Sequence, residues 1–125
     1  MVELFTSWQR GAVVVKKYIP VRGDIVFTDF DPSAGYEQAH KSPALVLSPE
    51  SFNKQIQLAL VAPITSTVRG HGFEVNLGDK TQTKGVVLCQ QVKTIEYDYR
   101  GIKFIEKAPQ NLINEALSRV RTFLS

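Results

Sequence analysis

One cysteine, Cys89, cannot close an internal disulfide, so the fold does not draw on an oxidising compartment. Its neighbours in "GVVLCQQ" are apolar and mark it as a core residue rather than a nucleophile. No apolar run approaches the roughly 18 residues needed to cross a bilayer, so no membrane association is expected. The apolar patch at residues 12–15 lacks the hydrophobic region and cleavage site of a signal peptide, and a cytoplasmic location is the default expectation. The two histidines, His40 and His71, show no ligand spacing with each other or with Cys89. A metal site is therefore not expected, and neither is any other cofactor. The chain also lacks a glycine-rich phosphate cradle and any Ser–His–Asp arrangement that sequence can certify. Repeats, low-complexity tracts and linkers are missing as well, which leaves the 125 residues as the length of one ordinary domain.

What is present is a core-forming composition, 43% hydrophobic and 22% charged, with a mild formal charge of +3. That balance excludes a disordered chain, and it permits an anionic partner without demanding one. The segment "RGDIVFTDFDP" reads as a strand over residues 24–30, opened by Gly23 and closed by Asp31-Pro32. Residues 31–43 read as a loop and "ALVLS" as a buried strand, and "PESFN" suits a brief helical turn. The segment "QIQLALVAPITST" alternates, with Ile56, Leu58, Leu60, Ala62 and Ile64 on one face and Ala59, Val61, Pro63 and Thr65 on the other. Pro63 predicts an edge or a bulge there. "GFEVNL", "GVVLC" and "GIKFIE" supply further strands. The end of the chain changes period. Leu112, Ile113, Ala116, Leu117, Val120, Phe123 and Leu124 form one helical stripe after Pro109. Five or six short strands and a terminal helix predict a mainly β fold, a small curved sheet or partly open barrel capped by the helix.

Two polar clusters are candidates for chemistry. One is the run Glu37, Gln38, His40, Lys41, Ser42 just before an apolar strand; the other is "TSTVRGHG", with Thr65, Ser66, Arg69 and His71. If both meet at one end of the sheet they form a basic, hydroxyl-rich groove suited to a phosphodiester backbone. The competing reading is ordinary: a Gly- and Pro-punctuated polar loop, and turn chemistry at a strand end.

The segment "RGDIVFTDFDPSAGYEQAHKSPALVLSPESFN" resembles the opening signature of the MazF/PemK toxins, in which a Gly-Asp strand leads to a Glu-Gln loop and then to Arg-Pro-Ala-x-Val-Leu-Ser-Pro. "APITSTVRGHGFEV" resembles the second block of that family and "GVVLCQQVKTI" the third, in the same order and spacing, over roughly residues 16–124. Residues 1–15 have no counterpart and read as an N-terminal extension to a single toxin domain at 16–125.

The resemblance implies a small SH3-like barrel with a C-terminal α-helix. It implies a homodimer and a metal-independent, sequence-selective endoribonuclease that cleaves single-stranded RNA to 2′,3′-cyclic phosphate and 5′-OH ends. It also implies a cognate acidic antitoxin, together with which the toxin binds DNA. Carried over by position, the catalytic Thr falls on Thr65, the loop Glu on Glu37 and the loop Gln on Gln38. The basic residue of the second block falls on Arg69, and the Gln and Lys of the third on Gln91 and Lys93. The arginine before Pro falls on Ser42, with Lys41 and His40 just ahead as candidate stand-ins, and the residue before Gln91 is Gln90 where the family often has Asp. Two alternatives stay open: a weakened module that binds RNA or antitoxin without efficient cleavage, and a relative that poisons another protein target. The alternation also predicts an apolar patch at Ala59, Val61, Val26 and Phe30 for a second copy to cover.

Overall fold

The computed structural model describes residues 17–30, 41–70, 72–98 and 101–124. Among these residues seven strands and two helices follow one another: β1 Asp24–Asp29, β2 Lys41–Val46, α1 Glu50–Ile56, β3 Ala59–Thr65, β4 Glu74–Asn76, β5 Val86–Leu88, β6 Lys93–Ile95, β7 Lys103–Lys107 and α2 Gln110–Thr122. A 3₁₀ turn, Cys89–Gln91, joins β5 to β6. The sheet is antiparallel and runs β4-β5-β3-β2-β1-β7, with β6 also on β3. The fold is mainly β with a C-terminal helix, as expected.

The long strand β3 organises the sheet. One edge pairs with β2; the other pairs with β6 at residues 59–61 and with β5 at 64–65. Pro63 lies between those two ladders, where its missing N–H interrupts neither, so the proline marks a change of partner in a central strand and not an outer edge. The expected alternation from residue 56 is corrected at its start. Ile56 ends α1, and Gln57 turns the chain out of it with a left-handed φ of 63° before β3 begins. Pro109 precedes the first turn of α2 rather than sitting inside it.

Side-chain alternation separates two cores. Ile25, Leu45, Leu47, Ala62, Ile64, Val75 and Val87 pack beneath the Leu112, Ile113, Ala116 and Val120 stripe of α2. Gly23, at φ 95°, lets the helix close down: a Cβ there would lie 2.4 Å from Ile113 Cδ1. On the opposite face, Val26, Ala44, Val46, Ala59 and Val61 pack with Ile95 and Tyr97, with Tyr18, Phe30 and Ile102 at the margin. The apolar patch expected to seek a second copy is thus buried within the chain, with Ala59 and Val61 beside β6 and packed with Ile95 and Tyr97. Cys89 is buried, and burial pushes its thiol up to about 11, in keeping with a core residue.

Two polar knots secure the frame. Buried Asp24, from the Gly-Asp signature, accepts the Val21 N–H at 3.0 Å and the Tyr18 hydroxyl and pairs with Lys107 at 2.6 Å. The buried Asn53 side chain donates to Pro20 O (2.8 Å) and Ser48 O (3.1 Å), and its backbone carbonyl accepts the Tyr97 hydroxyl (2.7 Å).

No described strand joins β7 to β4, so the expected barrel stays open at this seam. Glu106 bridges it. Its carboxylate accepts the N–H groups of Gln82 (3.0 Å) and Thr83 (2.8 Å) and the Thr83 hydroxyl (2.8 Å). Burial alone would raise its pKa, but these three bonds and nearby Lys84 together hold it below the ordinary 4.5. A folded pKa below the unfolded one adds stability above the ordinary carboxylate range, which is lost as pH falls through the folded value. Glu106→Gln is therefore expected to cost about 1 kcal/mol at pH 7, allowing for solvent screening, with a difference that shrinks in acid. Thermal melts of both proteins between pH 7 and pH 3 check this; a pH-independent gap contradicts it.

Candidate functional site

Antiparallel pairing brings the end of β1, the start of β2, the end of β3 and the start of β5 to one end of the sheet. Lys41 and Ser42 are strand residues, so the expected loop ends earlier than residue 43. Glu37, Gln38, His40 and His71 lie outside the described residues.

Register decides which of the others can meet. Thr28 faces Ser42 directly across β1 and β2. The β2–β3 ladder pairs Val46 with Val61 and ends at Ala44 with Pro63; carried on by two residues in the same register, it brings Ser42 level with Thr65. Thr65 in turn faces Val86, and Val86 faces Asn76. One row across the sheet thus carries three hydroxyl residues, Thr28, Ser42 and Thr65, on neighbouring strands roughly 4.8 Å apart. They share the face of the second core, as the alternation Ala44–Ser42 and Val61–Pro63–Thr65 requires.

The cations divide between the two faces. Lys93 is opposite Val61, on the face of Thr65, and its Nζ stands 5.2 Å from the centroid of the Phe30 ring. Lys41 alternates with Ser42 and belongs with Leu45 and Leu47, on the helix side of the sheet. Ser66 and Arg69 are exposed after β3. Their loop is pinned through its backbone, since the Glu74 carboxylate accepts the N–H groups of Arg69 (3.0 Å) and Gly70 (2.7 Å). Gln91 is exposed in the 3₁₀ turn that joins β5 to β6, the two strands that share an edge of β3.

Thr65 has the geometry of a donor. Its Oγ1 accepts the Thr67 N–H at 3.1 Å, which leaves its own proton for another acceptor. Gly85, at φ 119°, allows β5 to approach this residue: a Cβ on Gly85 would lie 2.1 Å from the Thr65 carbonyl oxygen. No side chain fits there without moving Thr65 itself.

A curved antiparallel sheet with a helix over one face, and hydroxyls and a lysine gathered on the other, defines a small β domain fitted to an anionic ligand. The chain belongs to the PemK-like, MazF-like toxins of type II toxin–antitoxin systems, whose family pattern residues 21–124 match. It is 38% identical over 123 residues to Endoribonuclease PemK of Escherichia coli, across 95% of this chain and 92% of that protein. The crystal structure of MazF from Deinococcus radiodurans superposes with a TM-score of 0.78 at 33% identity, covering 86% of this chain and 98% of that one. The MazE–MazF structure from the same organism gives 0.77 at 28% identity, covering 87% and 98%.

Two features of the site were not legible as function in the sequence. Thr28 reads as an ordinary β-former, and only its register with Ser42 gives it a place. The segment Lys93–Ile95 is too short to show alternation, so the face of Lys93 could not be assigned.

Proposed function

We propose that this chain is a toxin endoribonuclease that cleaves single-stranded RNA without a metal ion. The observation that carries the reading is Thr65, at the end of β3, with a free hydroxyl proton on the same face as Ser42 and Lys93. Membership in the toxin family and likeness to a protein named endoribonuclease support it.

RNA carries its own nucleophile. The 2′-oxygen attacks phosphorus as its proton passes to a base, and the 5′-oxygen leaves as it gains a proton. The products are a 2′,3′-cyclic phosphate and a 5′-OH. In between, the protein must stabilise a dianionic phosphorane. Thr65 donates to a phosphoryl oxygen, Lys93 supplies charge on the same face, and Glu37 is the candidate base. Ser66, Arg69, His71, Gln38 and Gln91 hold the flanking strand. Specificity for a cleavage sequence resides in these flanking groups.

The partner is an acidic antitoxin, supported by the MazE–MazF complex among the related structures and by the +3 charge of this chain. A homodimer, which the family resemblance implies, must use a surface other than the one first expected, since Val26, Ala59 and Val61 are already buried. Exposed Phe52 and Leu124, which line one groove, offer one.

A second reading has its own observation: Ser42 stands where the resemblance puts a catalytic arginine. A hydroxyl brings no charge, so the chain would bind RNA or antitoxin and cut poorly. Incubating purified protein with single-stranded RNA in excess EDTA separates the two. Cleavage with 2′,3′-cyclic phosphate ends is expected, and it should weaken steeply with salt as phosphate contacts are screened. Cleavage abolished by EDTA and restored by Mg²⁺ contradicts the metal-free reading; intact RNA with or without metal favours the binder.

A further inference from the structure

Thr28 is 1% exposed, and its Oγ1 has no hydrogen-bond partner among the described residues. Among the described residues of its face in this sheet, buried Val26, Ala44, Val46, Ala59, Val61 and Ile95 are apolar, and the one buried charge, Asp24, is held by Tyr18, Val21 and Lys107. Packing alone would be served by valine, which has the same shape without the polar atom. An unsatisfied buried hydroxyl costs roughly 1–3 kcal/mol, so its presence calls for a partner in some state of the protein. Among the described residues, Ser42 is the polar side chain paired directly opposite it, and cross-strand Cβ atoms stand about 4.5–5.5 Å apart, near enough for two hydroxyls to bond after a rotation about χ1.

We propose that Thr28 is a positioning residue for Ser42, joined to it by a hydroxyl-to-hydroxyl bond when RNA is bound. The inference rests on the RNA-cleavage reading above. The direction of the bond follows from proton counting. Ser42 has one proton and must point it at a phosphoryl oxygen, so its lone pair accepts from Thr28, which has no other acceptor. The Thr28 O–H then polarises Ser42 and fixes its rotamer, and the pair puts an oriented dipole where the family resemblance expects a guanidinium. No covalent step is involved. The hydroxyl row Thr28–Ser42–Thr65 becomes a cradle with two donors facing the phosphate and a third, buried, behind one of them.

The test is a double-mutant cycle on RNA cleavage, with thermal melts alongside. Thr28→Val is expected to lower the single-turnover rate by roughly 3–15-fold, the worth of one neutral hydrogen bond. Its melting temperature should stay level or rise, since a buried unpaired polar atom is removed. Thr28→Ser should retain most of the rate. In a Ser42→Ala background, Thr28→Val should have no further effect, because the bond it removes is already gone. An equal loss in both backgrounds would make the role merely structural and overturn the proposal, as would a Thr28→Val enzyme as fast as wild type. If wild type cleaves and the cycle is additive, this inference alone falls. If wild type is inert and Ser42→Arg cleaves, the hydroxyl pair does not replace the arginine, although the site assignment stands. If neither cleaves, the cleavage reading falls with it.

Discussion

Thr65→Ala should lower RNA cleavage by roughly 10²–10³-fold, the cost of deleting one donor to a developing oxyanion, while the protein keeps its fold. The two halves of that expectation come from different observations. The loss follows from the donor geometry: Oγ1 takes the Thr67 N–H, so the hydroxyl proton points elsewhere and is held in direction by the bond the oxygen already accepts. The survival of the fold follows from position. Thr65 is only partly buried, belongs to neither hydrophobic cluster, and is kept in place by backbone pairing with Val86 rather than by its methyl group. Truncation opens no core cavity, so the melting temperature should move little. Thr65→Ser separates the hydroxyl from the methyl and should recover most of the rate. The measurement is single-turnover cleavage with a melt on each variant. Normal cleavage by Thr65→Ala would remove this residue from the site, and a collapsed melt would make its loss uninformative about chemistry.

Much of this arrangement could be read from residues before any coordinates, and the failures have physical causes. Alternation in a strand assigns a residue to a face, so Thr65 and Val61 could be put together from sequence. It does not say what covers that face. The patch at Ala59, Val61 and Val26 therefore reads as exposed, although Ile95, beside Ala59 on β6, and Tyr97, more than thirty residues on from Val61, pack with it. Alternation also ran on past the true start of β3, because Ile56 at the end of α1 happens to share the parity of Leu58 and Leu60. For Pro63 the sequence offers an edge or a bulge; the strand instead changes partners halfway, which leaves a gap in which a missing N–H does no harm. The clearest limit concerns Ser42. Sequence spacing offers Lys41 or His40 as its substitute; of the two, Lys41 is one residue away and lies among the described residues. In a strand, one residue away is the opposite face.

That geometry leads to the second large effect. Lys93→Gln should lower kcat/KM roughly 10–100-fold, while Lys41→Gln should change it by no more than a few-fold. Lys93 stands opposite Val61, four residues along β3 from Thr65, roughly 13 Å of backbone at strand rise. Its side chain is not free to wander over that distance, because Nζ sits over the Phe30 ring, and Phe30 follows the strand that carries Thr28. The ring holds the charge on the hydroxyl face, where a strand of RNA lying across Thr65 presents its neighbouring phosphate. Lys41 projects to the helix side beside the Leu45 row, and its charge reaches such a phosphate only through solvent, where salt screens it. Two readouts separate a phosphate contact from a general loss of positive charge. The slope of log K against log salt for RNA binding should fall by about 0.7 in Lys93→Gln and stay near the wild-type value in Lys41→Gln. Phe30→Leu should reproduce part of the Lys93→Gln defect, because removing the ring releases the ammonium without removing it. A larger loss from Lys41→Gln than from Lys93→Gln would mean that the RNA crosses the helix side of the sheet, and the hydroxyl face would no longer be the site of cleavage.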